Sequence, residues 1–365
     1  MSRGFTCAAC KRRVLFADPG CPCGGLLELD PATGPWTVDE RATGLWRYRS
    51  RFPFDPGWDG WESLTMGEGG TALVALDGAL AKVEYASPTL SFKDRGACLL
   101  VARAVLGGAD HVLVDSSGNA GTAVAAYAAR AGLRCTVVTP AATSPAKLAQ
   151  ARAHGAELRL VSGSREDAAV AALAEVAGAG AWYASHVHDP TFHEGTKTLA
   201  FEVFEQLGRL PDVVVLPAGN GTLVLGWSRG VAELVAAGLA AIPSRIVAVQ
   251  AAACAPLAAA WAAGSGDVPP VPTSQTVAEG IAIAAPARGV AILAAVRASG
   301  GSVTTVDDDA IASARDRLAR SGFYVELTAA ATWAGVTQAR GNPDELVLAP
   351  LCGAGLKSPP HGASA

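Results

Sequence analysis

Lys93 is the residue with the most chemical promise in this chain. It lies in Ser91-Phe92-Lys93-Asp94-Arg95-Gly96, just after the turn-like Ala86-Ser87-Pro88-Thr89. Ser91 reads as an N-cap and Asp94 follows three residues on, a variant of the capping box, so the spacing predicts a helix that starts at the lysine. The positive end of a helix disfavours an ammonium, and burial lowers its pKa further. A lysine made neutral in this way attacks a carbonyl, as a Schiff base to an aldehyde cofactor requires. Read alone, the segment is better explained as a charged helix-start lysine paired with its acidic neighbour, and the rest of the chain must decide.

Two glycine-bearing loops add anion sites. Val112-Leu113-Val114-Asp115 runs into Ser116-Ser117-Gly118-Asn119-Ala120-Gly121 and then a predicted helix over 122–130. Val213-Val214-Val215-Leu216-Pro217-Ala218 runs into Gly219-Asn220-Gly221-Thr222 and a helix from Leu223. Small residues at a helix start leave backbone N–H groups open to a carboxylate or a phosphate. The first loop, taken alone, also reads as a tight strand-to-helix turn. The G-x-G-x-x-G spacing of a dinucleotide fold is absent, and no lysine follows the second loop as in a P-loop. Two anion sites and one activatable lysine suggest a phosphorylated aldehyde cofactor and a carboxylate substrate, for which pyridoxal phosphate acting on an amino acid is the economical solution. A third strand-to-glycine junction, Leu351-Cys352-Gly353-Ala354-Gly355, places Cys352 where it faces a ligand or sits as a buried thiol.

Cys7, Cys10, Cys21 and Cys23 crowd the N-terminus. Four thiolates in two close pairs suit a tetrahedral zinc site, and four protein ligands leave no open position, so its role would be structural. The second pair is CxC where a zinc ribbon usually has CxxC, so a reduced knuckle is the alternative. Cys98, Cys135, Cys254 and Cys352 are scattered among apolar or small neighbours and read as free thiols of a reducing compartment.

The elements that must carry these residues follow from the apolar pattern. The chain has 365 residues, 50% of them hydrophobic, which is enough for two cores. Short runs rich in Val and Ile recur at 111–114, 134–139, 157–161, 213–216, 245–249 and 346–349, mostly followed by Gly, Ser or Pro and an alanine-rich helical stretch. Buried parallel strands with crossover helices, an α/β class with doubly wound sheets, explain that alternation. Residues 30–60 hold several Pro, Gly and Trp and read as a linker wrapping over the main body. A net charge of -4 without a basic block makes nucleic acid an unsuitable partner. No apolar run of membrane-spanning length and no apolar leader is present, so a cytoplasmic protein is expected.

In order, Gly67-Glu68-Gly69-Gly70-Thr71, the Lys93 segment, Ser117-Gly118-Asn119, Glu194-Gly195-Thr196-Lys197-Thr198 and Gly219-Asn220-Gly221-Thr222 resemble threonine synthase. More broadly they resemble the fold-type II pyridoxal phosphate enzymes, the tryptophan synthase beta-like superfamily. The cysteine knuckle ending Cys-Gly-Gly-Leu-Leu-Glu is similar to that of many threonine synthases. With the strand pattern, the resemblance implies two doubly wound open-sheet domains with the cofactor between them, plus a small N-terminal cysteine knuckle. The expected division is a knuckle over 1–30, a large cofactor-binding domain from 31–104 with 201–365, and a small substrate-side domain over 105–200. The resemblance further implies that Lys93 forms the Schiff base and that Gly219, Asn220, Gly221 and Thr222 hold the cofactor phosphate. Asn119 would bond the cofactor's ring oxygen. Ser116, Ser117 and Gly118 with the following backbone would bind the substrate carboxylate, and Lys197 remains for the substrate. Cys352 falls beside the pyridine nitrogen, a neutral partner that suits elimination more than transamination. Glu279-Gly280 resembles a cofactor-edge segment of related dehydratases. A homodimer is the family's expectation.

Three departures bear on the substrate. The family carries Asn-Pro-x-Arg before its Glu-Gly-x-Lys-Thr motif, and that arginine helps bind a substrate phosphate. Here the run is Asp189-Pro190-Thr191-Phe192-His193, so Phe192 removes a bidentate partner. His186, His188, His193 and Lys197 remain to compensate; no carboxylate–histidine spacing repeats to support a metal among these histidines. Cys352 stands in place of the usual threonine, and Glu326-Leu327 in place of Glu-Pro. The expected activity is a pyridoxal phosphate-dependent lyase resembling threonine synthase, which converts O-phosphohomoserine and water to threonine and phosphate. The alternative is β-elimination or β-replacement on a small hydroxy or phospho amino acid, as in a threonine or serine dehydratase or a cysteate synthase-like enzyme. A relative without turnover, or a zinc-ribbon interaction module, is opposed by the intact Lys93, Asn119 and 219–222 loop.

Overall fold

The structure, a computed structural model, describes residues 4–55 and 57–357. The Ser/Pro/Gly-rich end after Lys357 lies outside the described residues. The chain forms two compact units. The first runs to Glu68 and resumes over Lys93–Gly195; the second takes Gly69–Phe92 and Thr196–Lys357.

In the first unit, β1 (Phe5–Cys7), β2 (Arg13–Val14) and β3 (Leu27–Leu29) make an antiparallel sheet ordered β2-β1-β3. Its core is small: Phe5, Cys7, Val14, Cys21, Leu27 and Leu29, with Phe16 against them. Residues 30–60 are more than a tether, because their aromatic rings pack together. Trp46 stacks on Trp61 at 5.5 Å and meets Phe52 edge-on at 5.6 Å, and Phe54 meets Trp58 at 5.5 Å. Rings arranged this way add about 0.5–1.5 kcal/mol per pair beyond their area. The short α1 (Trp61–Leu64) follows.

The chain next contributes the hairpin β4 (Leu73–Leu76) and β5 (Ala79–Lys82) to the second unit. It returns to the first with α2 (Lys93–Leu106), β6 (His111–Asp115), α3 (Asn119–Arg130), β7 (Arg134–Pro140), α4 (Pro145–Ala153), β8 (Glu157–Val161), α5 (Arg165–Ala179) and β9 (Trp182–Tyr183). These strands form a parallel sheet ordered β8-β7-β6-β9. Helix α6 (Thr191–Thr196) follows, and the first unit ends within it at Gly195.

The second unit adds α7 (Thr198–Leu207), β10 (Val213–Pro217), α8 (Thr222–Ala236), β11 (Arg245–Ala251), α9 (Pro256–Ala262), α10 (Gly289–Ala298), β12 (Ser302–Val306), α11 (Asp308–Arg320), α12 (Leu327–Ala339) and β13 (Val347–Pro350). The sheet is ordered β12-β11-β10-β13-β5-β4, parallel except for the hairpin partner β4. It is therefore mixed, not purely parallel. All five residues of β10 are buried, as a central strand with helices on both faces demands. No helix among the described residues is long and apolar enough to cross a membrane.

Candidate active site

Each sheet has one place where strand order reverses. In the first unit the chain steps outward from β6 to β7 and β8, then returns with β9 on the other side of β6. In the second it steps from β10 to β11 and β12, then returns with β13 on the other side of β10. Ligands of open α/β sheets bind outside the carboxyl ends of strands at such points. Both glycine loops read from the sequence leave those positions: 116–121 follows β6 and 219–222 follows β10. Cys352 lies two residues past the end of β13, the strand beside β10.

Within the first unit, Lys93 is the first residue of α2 and is partly buried, while Asp94 and Arg95 behind it are fully buried. Its Nζ lies 5.5 Å from the centroid of the Phe192 ring. Phe192 is completely buried because Gly96 leaves room for it: a Cβ on Gly96 would sit 2.5 Å from the ring. Likewise, a Cβ on Gly195 would lie 1.8 Å from the Arg95 carbonyl oxygen, so α6 meets α2 backbone to backbone. The His186 ring meets Phe192 edge-on at 5.8 Å. Burial, then the positive charge of Lys93, holds the His186 pKa well below the usual histidine value.

That shift has a sign that can be measured. Unfolded His186 binds a proton near pH 6.5 and folded His186 does not, so folding becomes less favourable as pH falls through about 6.5, by at most about 1.4 kcal/mol per pH unit. A His186→Gln variant should show a flatter fall of its urea midpoint between pH 7 and pH 5 than the parent chain. Equal slopes would mean that the imidazole protonates freely in the folded protein.

At the β6 loop, Ser116, Ser117 and Asn119 are partly exposed and Gly118 is exposed. The Ser116 Oγ accepts the Gly118 N–H at 3.3 Å, and Asn119 opens α3. A residue whose importance the sequence left unstated is Glu68. Four donors converge on its buried carboxylate: Trp46 Nε1 at 2.7 Å, Thr65 Oγ1 at 3.1 Å, the Met66 N–H at 2.9 Å and Tyr127 Oη at 2.8 Å. It ties the aromatic cluster to α3. The available signal was an acid set between glycines in apolar surroundings.

Within the second unit, Gly221 caps α8 with φ of 70°, a left-handed conformation that side chains rarely adopt, and a Cβ there would lie 2.3 Å from Ile292 Cδ1. Gly219 packs against the turn Glu279–Ile281, its would-be Cβ 3.0 Å from Ile281 Cα. The Thr196 hydroxyl donates to the Thr222 carbonyl at 2.9 Å. Lys197 is fully buried and its ammonium donates to Glu233 of α8 at 2.7 Å, so its charge is met inside this unit. The buried Cys352 thiol donates to the Pro350 carbonyl at 3.4 Å, while its carbonyl accepts the Phe92 N–H at 2.9 Å. Phe92 is thus held beside Cys352 within this unit.

The turn Gly69-Gly70-Thr71 is held by a buried network in the same unit. Glu202 of α7 accepts the Thr71 N–H at 2.7 Å, the Gly70 N–H at 3.0 Å and the Lys82 ammonium. Lys82 also donates to the Thr71 carbonyl at 2.5 Å and to Gln206 Oε1 at 2.9 Å.

Among the described residues, one group has the geometry of a metal site. The sulfurs of Cys7, Cys10, Cys21 and Cys23 all lie within 4.8 Å of one another, with contacts of 3.4 and 3.5 Å. A tetrahedron with metal–sulfur bonds of about 2.3 Å needs sulfurs roughly 3.8 Å apart, so the four residues fit zinc. The Cys10 backbone N–H brings the Cys7 thiol down to about 6, while at Cys21 the Cys23 backbone N–H is outweighed by burial and the neighbouring thiols, which push it up to about 12, so it is Cys7 that stands closest to the thiolate a metal needs. His186, His188 and His193 are not drawn into any such group.

The fold is that of a fold-type II pyridoxal phosphate enzyme. The family described as "Pyridoxal-phosphate dependent enzyme" matches residues 64–353, and the chain belongs to it. It is similar to the threonine synthase of Methanocaldococcus jannaschii, 32% identical over 362 residues that cover 93% of this chain and 88% of the relative. A threonine synthase of Mycobacterium bovis is 35% identical over 329 residues, covering 86% and 88%. Among solved structures, a threonine deaminase from T.th. aligns with a TM-score of 0.65 at 28% identity, covering 76% of this chain and 87% of that one. The processed threonine deaminase isoform 2 from Solanum lycopersicum shares the fold, with a TM-score of 0.69 at 21% identity over 92% and 91%.

Proposed function

We propose that this chain is a pyridoxal phosphate-dependent carbon–oxygen lyase of threonine synthase type, acting on a small amino acid. The observation that carries the reading is Lys93 at the first position of α2, in a chain that belongs to this enzyme family. When bound, the cofactor supplies an aldehyde for the amine and a conjugated ring that draws electrons from Cα. Lys93 would hold the cofactor at rest and afterwards take the proton from Cα, a task for which the helix end favours its neutral form. Gly219, Asn220, Gly221 and Thr222 would hold the phosphate on the backbone N–H groups of the α8 start, where the absence of Cβ atoms at both glycines keeps the turn open. Asn119 would orient the ring oxygen. Cys352 brings no carboxylate to the ring nitrogen, which suits elimination. Ser116, Ser117 and Gly118 would bind the substrate carboxylate. Lys197, with Glu233 as its own partner, would act on the substrate only by way of that pair.

A second reading, β-elimination or β-replacement on a small hydroxy or phospho amino acid, is favoured by Phe192. Beside Lys93 the first unit presents a ring and a neutral imidazole, and neither neutralises a phosphate dianion. Offering O-phosphohomoserine, threonine, serine and O-phosphoserine in parallel, with phosphate, ammonia and 2-oxo acid measured, decides between them. Threonine and phosphate from O-phosphohomoserine are the expected products. Phosphate without threonine, or ammonia and a 2-oxo acid from threonine or serine alone, would favour the second reading.

The cysteine knuckle would hold one structural zinc. Purified protein should carry about one zinc per chain and a Cys7→Ser/Cys10→Ser variant none, by elemental analysis. Equal metal in both would remove these cysteines from the site.

A further inference from the structure

We propose that Arg103 is a positioning residue that couples the cysteine knuckle to the turn beside Lys93, so that metal loading of the knuckle sets the order of residues 185–196. Apart from Thr196, where α6 ends, every residue invoked belongs to the first unit. Arg103 lies on α2, ten residues after Lys93, and is fully buried. Its guanidinium joins two segments that are distant in sequence. Nη1 donates to Asp189 Oδ2 at 2.5 Å, Nε to the Phe16 carbonyl at 3.1 Å and Nη2 to the Asp18 carbonyl at 2.7 Å. Its flat face covers Phe5 at 4.1 Å and approaches Trp182 at 5.2 Å.

Both carbonyl acceptors come from the loop between Cys10 and Cys21, and Phe5 lies in the strand that ends at Cys7. Two further contacts join the same partners: the Leu27 N–H donates to the His188 carbonyl at 3.2 Å, and the Ala17 carbonyl seats where a Cβ on Gly107 would lie 3.1 Å away. On the other side, the second oxygen of Asp189 accepts the Thr191 N–H at 2.9 Å and its carbonyl accepts the Phe192 N–H at 3.3 Å. Asp189 therefore sets the entry to α6, and with it the ring that lies 5.5 Å from Lys93 Nζ.

The knuckle sheet has a core of six buried residues, too few to stand without a metal or a similar staple. If it loosens, Arg103 keeps its carboxylate but loses two carbonyl acceptors and a stacking face. A buried guanidinium with donors left unmatched cannot hold one geometry, so Asp189 and the turn loosen with it. Lysine cannot replace this fork, since an ammonium is a point charge without the planar set of donors.

The test is hydrogen exchange by mass spectrometry on the full chain as purified, before and after a chelator removes zinc, in the parent and in Arg103→Lys. Chelation should speed exchange in residues 185–196 by roughly tenfold, besides loosening residues 4–29. Arg103→Lys should keep its zinc, speed exchange in 185–196 to a similar extent, and show no further rise there on chelation. Should Arg103→Lys fail to fold, Asp189→Asn serves with the same expectation. Exchange confined to 4–29 after chelation, an unchanged 185–196 in the folded variant, or additive effects would each overturn the coupling, as would a purified chain that takes up no zinc. None of these readouts depends on which amino acid is turned over.

Discussion

Replacing Lys93 with alanine is expected to lower turnover by at least about 10³-fold and to abolish the visible absorbance that borohydride bleaches. Lys93 is assigned two tasks in sequence, holding the cofactor carbonyl and moving the Cα proton, and no neighbouring group duplicates both. Asp94 and Arg95 are buried behind it, and His186 is held neutral by burial and by Lys93 itself. Because the Lys93 side chain is only partly buried, its truncation should leave the fold intact, with a circular dichroism spectrum and urea midpoint close to those of the parent. Loss of activity with loss of fold would carry no mechanistic weight, so both measurements belong together. A folded alanine variant that turns over within tenfold of the parent would take Lys93 out of the mechanism.

The largest effect on stability is expected at Glu202. Its carboxylate receives the Lys82 ammonium, with both residues buried, and also two N–H groups of the Gly70-Thr71 turn. Glu202→Leu leaves a cation and two donors in the interior without their partner, and breaking a buried pair from one side costs about 3–5 kcal/mol. The double variant Glu202→Leu/Lys82→Met removes both charges at once and should recover much of that loss. The comparison is best made on urea midpoints, since a chain of two units need not unfold in one step. A loss below about 1 kcal/mol in the single variant would show that the acceptors Lys82 already has, the Thr71 carbonyl at 2.5 Å and Gln206 Oε1 at 2.9 Å, hold its charge without Glu202.

The strands that were legible in the sequence are those whose chemistry is local. Each run of Val and Ile read as a strand coincides with one: β6, β7, β8, β10, β11 and β13. The hairpin β4–β5 was not legible, although Asp77-Gly78 at its tip has both φ values positive, at 49° and 73°, as a two-residue hairpin turn requires. Its flanks, Leu-Val-Ala-Leu and Ala-Leu-Ala-Lys, hold a single β-branched residue, and Lys82 is charged yet fully buried. Its strand character comes from pairing with β13 and from Glu202, which lies about 120 residues further on. β12 escaped for the opposite reason, because Ser-Val-Thr-Thr-Val is mostly half exposed and gives no apolar run. At the site, the glycine loops were legible because a close backbone approach at Gly121, a positive φ at Gly221 and helix starts leave a compositional mark. Glu68 and Arg103 were not, since what makes them consequential is the number of donors or acceptors that converge on them after folding.

The pairing of β5 with β13 also sets a timetable for synthesis. Leu80 sits opposite Leu348, so the hairpin leaves the ribosome about 270 residues before the strand that covers its inner edge. At usual elongation rates that interval is roughly 10–50 s, far longer than a hairpin needs to form. During it, the nascent chain carries an unpaired strand edge and a buried-type lysine whose carboxylate partner emerges only with α7. Production of this protein should therefore be more sensitive to chaperone supply and to translation speed than the packing of the finished sheet would suggest.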